Sequence, residues 1–454
     1  VSDLTDQLEA AGQARLAATL QALEGEAYDR LALQCASLDL PLVQRLVHTM
    51  VRAPQEAEHR GEIGPAHVDR LRDHPDGRAE ARAVGEAALR ANRVAVVLLA
   101  GGQGTRLGFD APKGMFPIGP VSDLTLFALH AAGVQATRTR FGCDLPLLLM
   151  TSPTNDAETI TYLQQQAMFG LDPSTVSTFV QGMLPAVDPE SGDILLAAPD
   201  RIALSPDGHG GIFRAMGHAA ILGDLEERGI DVIMTFQVDN PLMRPADPEL
   251  IGAHLMARAE MSTLVVAKAA PEDRMGVMAT VDGRTALVEY SDLPAELEQA
   301  RDADGSLTYW AGSTGVHCID RAFATRIASG QIALPFHRSL KKVATTDDPS
   351  PAEPNAIKFE AFMFDALPLA AQTATVEMAR DERFAPVKNA DGADSPETCR
   401  AAMVARATHW LRQAGVTVPA GVSVEIDPRV AQDADDLLGR VPSDLVIDGP
   451  LYLK

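Results

Sequence analysis

The chain has 454 residues, 46% of them apolar, more than one compact core of ordinary size accommodates, so two or three domains are expected. Its 62 acidic against 39 basic side chains leave a net charge of -23, which repels nucleic-acid phosphates and excludes a nucleic-acid binder, so a phosphorylated ligand must be met by positive charge concentrated locally. Cys35, Cys143, Cys318 and Cys399 have neither disulfide nor metal-ligand spacing, no apolar run is long enough to span a bilayer, and the acidic start lacks a signal peptide's basic-then-apolar order. The expectation is a soluble cytoplasmic chain that meets no membrane.

From residue 3 to about 52, Leu4, Leu8, Leu16, Leu20 and Leu23 recur at helical spacing among Ala and Gln, which predicts an N-terminal helical layer packed on the region that follows. Residues 53 to 76 are charged and carry Pro54, Gly61, Gly64, Pro65 and Pro75, which reads as a connection. An Ala-rich helix from Ala79 to Asn92 then leads into Val94 to Ala100, seven apolar residues that predict a strand buried on both faces, as in a parallel sheet.

The chain turns sharply after Ala100. Gly101, Gly102, Gly104 and Gly108 permit backbone angles other residues resist and let peptide N–H groups approach a ligand closely. N–H groups converging after a strand make an anion-binding concavity, to which Arg106 and Lys113 add two positive charges. The spacing of Gly102, Gly104 and Gly108 is one residue too long for the dinucleotide fingerprint, and Lys113 precedes Gly rather than the Ser or Thr of a Walker loop. A plain tight strand exit remains the structural alternative. The full string G-G-Q-G-T-R-L-G followed by P-K-G-M resembles the signature of the uridylyltransferases that join UTP to a sugar 1-phosphate, most closely the UDP-N-acetylhexosamine pyrophosphorylases.

Further strands are predicted at Pro146 to Met150, Val232 to Val238 and Thr263 to Ala267, with helices at Ala157 to Phe169 and Gly211 to Leu222. This alternation predicts a doubly wound α/β core. The resemblance refines it to a mixed sheet in a nucleotide-diphospho-sugar transferase (Rossmann-like) core at 91–385, with helices at 1–90 and a small C-terminal domain at 386–454. The run M-T-S-P-T-N at 150–155 follows a strand end, where ligands of open α/β sheets bind. It reads equally as a capping arrangement, with Ser152 or Thr154 ahead of Glu158.

Gln181 carries a donor and an acceptor on one planar amide, matching the edge of uracil, and Gly208, Gly210 and Gly211 again permit close backbone approach. The resemblance implies that Gln181 and Gly208 contact the base and that His209 meets the sugar. Acetylhexosamine enzymes usually have Asn there, whereas G-H-G is similar to the glucose-1-phosphate uridylyltransferases. Asp239 closes the third strand in V-D-N-P, where a carboxylate is placed to hold Mg²⁺ together with substrate phosphate oxygens, or merely to form a turn. Asp247 is a weaker candidate. Residues 274 to 292 alternate like antiparallel strands around Asp282-Gly283.

The family pattern implies that Gly276 and Glu289 face the sugar. It places Ser313, in W-A-G-S-T-G-V-H, where an asparagine would bond an N-acetyl group. It assigns Lys388, with Lys358, to phosphate, and sets Phe362 and Phe364 along the acyl side of the pocket, although core packing explains these two rings equally well. What the resemblance implies is uridylyl transfer from UTP to a hexose 1-phosphate, N-acetylglucosamine 1-phosphate first and glucose 1-phosphate as the alternative, with pyrophosphate released. A nicotinamide-dependent dehydrogenase, with Asp123 as the ribose-binding acid, suffers from the glycine spacing. A non-catalytic UDP-sugar-binding protein has no need of Arg106, Lys113 and Asp239, all of which are present.

Overall fold

Six consecutive apolar side chains, Val94–Leu99, form a strand buried at every position. The computed structural model describes residues 2–53, 61–442 and 445–454; residues 54–60 of the expected connection lie outside them. The Val94–Leu99 strand belongs to a mixed ten-stranded sheet. In chain order its strands are β1 Ile63–Pro65, β2 Val94–Leu99, β3 Leu147–Thr151, β4 Val176–Val180, β5 Val232–Gln237, β6 Met261–Ala267, β7 Val277–Val281, β8 Arg284–Val288, β9 Ala311–Asp320 and β10 Thr373–Glu377.

The spatial order is β1-β7-β9-β5-β2-β3-β4, with β8 beside β7, and β6 between β9 and β10. Strands β5, β2, β3 and β4 run parallel, which requires crossover connections; β5, β2 and β3 are buried on both faces, whereas the edge strand β4 is partly exposed. β9 runs antiparallel to β5 and β6, whereas β10 is parallel to β6. Strands β7 and β8 turn through Asp282 and Gly283 at φ 49° and 77°, the two left-handed residues of a tight hairpin.

Each of the four apolar runs expected as strands is a strand. The helices deviate where the backbone inverts. The helix expected from 157 to 169 ends at Gln165, because Ala167, Met168 and Phe169 take positive φ. The helix expected from 211 to 222 is two, Ile212–His218 and Ile221–Glu227, parted at Ala220, whose φ is +57°. One long helix, Leu126–Phe141, is buried over most of its circumference and so shows no amphipathic period.

Contacts divide the described residues into two units. The first comprises segments within 1–61, 181–215 and 333–365, and the second 62–180, 216–332 and 366–454. In the first, helices Ala14–Ala22, Gly25–Ser37 and Leu40–Leu46 share a buried cluster with three antiparallel strand pairs, through Leu16, Leu20, Leu31, Leu184, Ile202 and Phe359.

In the second unit, helix Pro75–Arg90 crosses helix Pro248–Met256 so tightly that a Cβ on Gly252 would fall 1.6 Å from the Ala81 carbonyl oxygen and one on Gly85 1.9 Å from that of Pro248. The C-terminal helix Pro396–Gln413 is started by a Ser395/Thr398 capping box, and Glu425 accepts hydrogen bonds from Val121 N–H, Ser122 N–H and Ser122 Oγ at 2.8, 2.8 and 2.7 Å. A buried carboxylate with several donors fastens the C-terminal region without an unmet charge. No helix among the described residues is long and apolar enough to cross a membrane.

Because packed backbones cannot yield to a new Cβ, Gly252→Ala is expected to cost about 1–3 kcal/mol, read as a lower urea midpoint with an unchanged slope.

Candidate active site

The carboxyl ends of β2, β3 and β5 are locked in line: Ala100 N–H donates to Met150 O at 2.8 Å and Val238 N–H to Leu99 O at 3.1 Å. The glycine loop leaves β2 at this edge. It folds back on itself through Lys113 N–H to Gly102 O at 3.1 Å and Gly104 N–H to Ala111 O at 2.9 Å. Gly104 is packed, since a Cβ there would meet Phe109 at 2.8 Å, and Gly114 lies flat on the Phe127 ring. Gly102 has nothing within 4 Å of a hypothetical Cβ. Among the described residues, the N–H groups of Gly101, Gly102 and Gln103 find no backbone acceptor, so they are available to an anion.

Asn155, not anticipated as a site residue, anchors this loop from beneath. It is buried, and its amide donates to Ala100 O at 2.9 Å while its carbonyl accepts from Ser152 N–H at 2.8 Å. The expected cap by Ser152 or Thr154 is not formed. The N-cap is Asn155, without a side-chain cap bond, because its carbonyl oxygen accepts from Ser152 N–H instead.

Lys113 reaches across to Asp239, Nζ to Oδ2 3.1 Å, with both side chains about 15% exposed. The Asp239 carbonyl accepts from Val387 N–H at 2.8 Å. The buried Asn240 binds the same segment on both sides, donating to Arg383 O at 2.7 Å and accepting from Ala385 N–H at 3.1 Å. Lys388 is thus delivered beside the end of β5, over the Phe384 ring and 3.6 Å from Asp394. Arg106 is exposed on the loop's short helical turn.

Asp247 sits elsewhere. Fully buried, it caps helix Pro248–Met256 and pairs with Arg383 at 2.9 Å, and the surrounding guanidinium groups hold its carboxyl below the usual range despite burial. Asp123 is a left-handed turn residue at φ 55°.

Gly276, Glu289 and Ser313 come together. Ser313 N–H donates to Gly276 O at 2.8 Å, and a Cβ on Gly276 would lie 3.5 Å from Glu289 Oε1.

A second set belongs to the first unit. Gln181 Nε2 donates to Gly208 O at 2.7 Å, so the amide positions the glycine turn. Gly208 needs its φ of +82° and passes within 2.3 Å, by its would-be Cβ, of Ala361 O. His209 Nδ1 accepts from Met363 N–H at 3.0 Å, which places the ring proton on Nε2. Its ring stands 5.5 Å from Phe362 and 5.4 Å from Phe364. Burial drives the His209 pKa down to about 4, against the opposing pull of Asp365, and keeps the imidazole neutral. Asp207, paired with Arg214 at 2.7 Å, has its carboxyl pushed up by burial. Lys358 lies in the same unit on strand Ala356–Glu360, opposite Ser339.

Among the described residues, no group of three or more His, Cys, Asp or Glu is arranged to hold a metal. A single strand-end carboxylate suits Mg²⁺, which takes one or two carboxylates, substrate phosphate oxygens and water, and does not suit a closed zinc site.

The sequence model of the UDPGP family, described as UTP–glucose-1-phosphate uridylyltransferase, matches residues 44–422. The chain belongs to this family. Mouse UDP-N-acetylhexosamine pyrophosphorylase-like protein 1 is 36% identical over 435 residues, 91% of this chain and 86% of the mouse protein. The UDP-N-acetylglucosamine pyrophosphorylase of Saccharomyces cerevisiae is 34% identical over 368 residues, 78% of this chain and 77% of the yeast protein. A Trypanosoma brucei uridine diphosphate N-acetylglucosamine pyrophosphorylase, solved with an inhibitor, has a TM-score of 0.83 at 26% identity, covering 95% of this chain and 93% of that one. The protein is therefore an enzyme, a UTP:sugar-1-phosphate uridylyltransferase, and its family generally acts with a divalent metal ion.

Since Gly102 faces open space whereas Gly104 is packed, Gly102→Val is expected to keep the wild-type melting temperature while nucleotide binding weakens at least about tenfold, as titration calorimetry would show; unchanged affinity contradicts the role. Burial also lowers His130 and His254 to about 4, as it does His209. Below the unfolded value of about 6.5 the unfolded chain binds protons that the folded one refuses, so stability is full above that pH and is lost on the way down to about 4, by at most about 1.4 kcal/mol per histidine per pH unit. Carboxylate pairs act mainly lower. A urea midpoint that stays flat from pH 7.5 to 5 rejects this.

Proposed function

We propose that the enzyme transfers uridylyl from UTP to N-acetylglucosamine 1-phosphate. The observation that carries the reading is the Lys113–Asp239 pair, 3.1 Å long, set at the carboxyl ends of parallel strands beside a glycine loop with available N–H groups. Relatives named UDP-N-acetylglucosamine pyrophosphorylase support the choice of sugar. A phosphate oxygen of the sugar 1-phosphate forms a bond to the α-phosphorus of UTP as the bond to the bridging β-phosphate oxygen breaks, and pyrophosphate leaves with the electron pair. The attacking oxygen is already anionic, so no general base is required and catalysis consists of positioning and charge stabilisation.

In this reading Arg106, Lys113 and the N–H groups of Gly101 and Gln103 hold the leaving pyrophosphate, while the Gly104 N–H keeps the loop folded on Ala111. Lys388 holds the sugar phosphate, with Lys358 as a second cation. Gln181, Gly102 and Gly208 select uracil, and Gly276, Glu289, His209 and Ser313 meet the sugar. The packing of His209 against Phe362, stacked at 30°, and Phe364, tilted at 55°, supports an apolar wall against an acetyl methyl. Mg²⁺ on Asp239, when bound, screens the charge of the phosphates. We take 91–385 as the catalytic region, flanked by 1–90 and 386–454. Four buried, unpaired cysteines support a reducing cytoplasm as its location.

Glucose 1-phosphate is the second reading, favoured by His209 and Ser313 standing where acetylhexosamine enzymes carry asparagine. Pyrophosphate release from UTP with the two sugar phosphates in parallel tests both. Faster release with N-acetylglucosamine 1-phosphate is expected, a glucose preference transfers the conclusion to the second reading, and silence with both rejects the reaction. Lys113→Ala should lower kcat about a hundredfold to a thousandfold in a variant that still folds, with a lower melting temperature because Asp239 is left a poorly solvated charge; near-normal turnover removes its role.

A further inference from the structure

Phe362 stacks with two imidazoles. His337 stacks on it at 4.7 Å with 26° between the planes, and His209 at 5.5 Å and 30°. Phe364 continues the array 5.2 Å away at 26°. A phenyl ring packed against three ring neighbours loses rotameric freedom and presents a fixed apolar surface.

His337 enters from the first position of strand His337–Lys341, opposite Glu360. Its Nε2–H donates to Asp365 Oδ2 at 2.7 Å. Asp365 is itself tied back to the ring, because its N–H donates to Phe362 O at 3.2 Å. The imidazole and the phenyl group are therefore fixed to one another twice, through the stack and through the carboxylate. The same carboxylate acts on His209 from the other end of the array, its charge opposing the burial that keeps that ring neutral. His337 is 42% exposed and Asp365 17%. An exposed histidine held flat against an aromatic side chain contributes orientation more than core volume.

We propose that His337, oriented by Asp365, is a positioning residue for the sugar site, and that it sets selectivity for an acetamido sugar by holding Phe362 against His209 and Phe364. The inference rests on the reading above, in which these rings face the acetyl group. The acetyl methyl gains from a rigid apolar wall, whereas the hydroxyl of glucose at that position does not, so the two substrates respond differently to its loosening.

The test is KM and kcat for N-acetylglucosamine 1-phosphate and for glucose 1-phosphate in the wild-type enzyme and in His337→Ala, His337→Phe and Asp365→Ala, with melting temperatures. His337→Ala and Asp365→Ala should raise KM for the acetamido sugar about fivefold to tenfold with kcat within about twofold, and leave KM for glucose 1-phosphate unchanged. His337→Phe keeps a ring on Phe362 and should restore most of the loss. An active wild type whose His337→Ala variant keeps its KM ratio, or loses both sugars in step with a fall in melting temperature, overturns the positioning role alone. A wild type inactive with both sugars overturns the reaction and this inference together.

Discussion

Lys113 and Asp239, 3.1 Å apart, come from two crossings of the chain through the same sheet edge, and the site depends on that edge being in register. The pair is largely shielded from water, so its attraction is little screened, but for the same reason either partner alone would be a poorly solvated charge. It forms because backbone bonds bring the strand ends level and fold the loop so that Lys113 returns to Gly102. The segment bearing Lys388 is attached to the same point by the Asp239 carbonyl and by both ends of the Asn240 amide. Cations of two separate sequence regions thereby answer to the end of one strand.

A protein of net charge -23 must not repel the polyanion it binds, and the arrangement of its carboxylates addresses that. Asp247 is neutralised by Arg383, Asp207 by Arg214, and Glu425 by three donors of a turn. Each is bound in a partnered, low-exposure setting, whereas the loop N–H groups remain available. Buried carboxylates paired in this way fix a conformation and add little to the field outside, while unpaired N–H groups and lysines dominate locally.

Much of this was legible along the chain. Of the four expected strands Val94–Leu99 is an uninterrupted apolar run and the other three are apolar but for one or two Ser, Thr or Gln, as strands buried between layers must largely be. The loop was recognisable from glycines ahead of Arg106 and Lys113, because a strand exit needs fewer. The helix at 126–141 was not visible, since burial on most sides erases periodicity, and the breaks at Ala220 and Ala167–Phe169 involve residues with no preference for positive φ. Asn155 and Asn240 carried no local signal. Each looks like an ordinary polar residue after a strand until the segment it bonds is known.

By itself the sequence determined the strand positions, the chemistry of the loop and the residue types available to phosphate, because these follow from hydrophobic period, backbone freedom and charge within a few neighbours. Only the tertiary structure decided which of those residues meet. It separated Asp247 from Asp239, two acids that look alike along the chain, by giving one to a helix cap and an arginine and the other to a lysine. It assembled the first unit from three distant segments, and it paired His337 with Asp365 beside one phenyl ring. Such pairings depend on contacts between residues far apart in the chain, and local propensity carries no information about them.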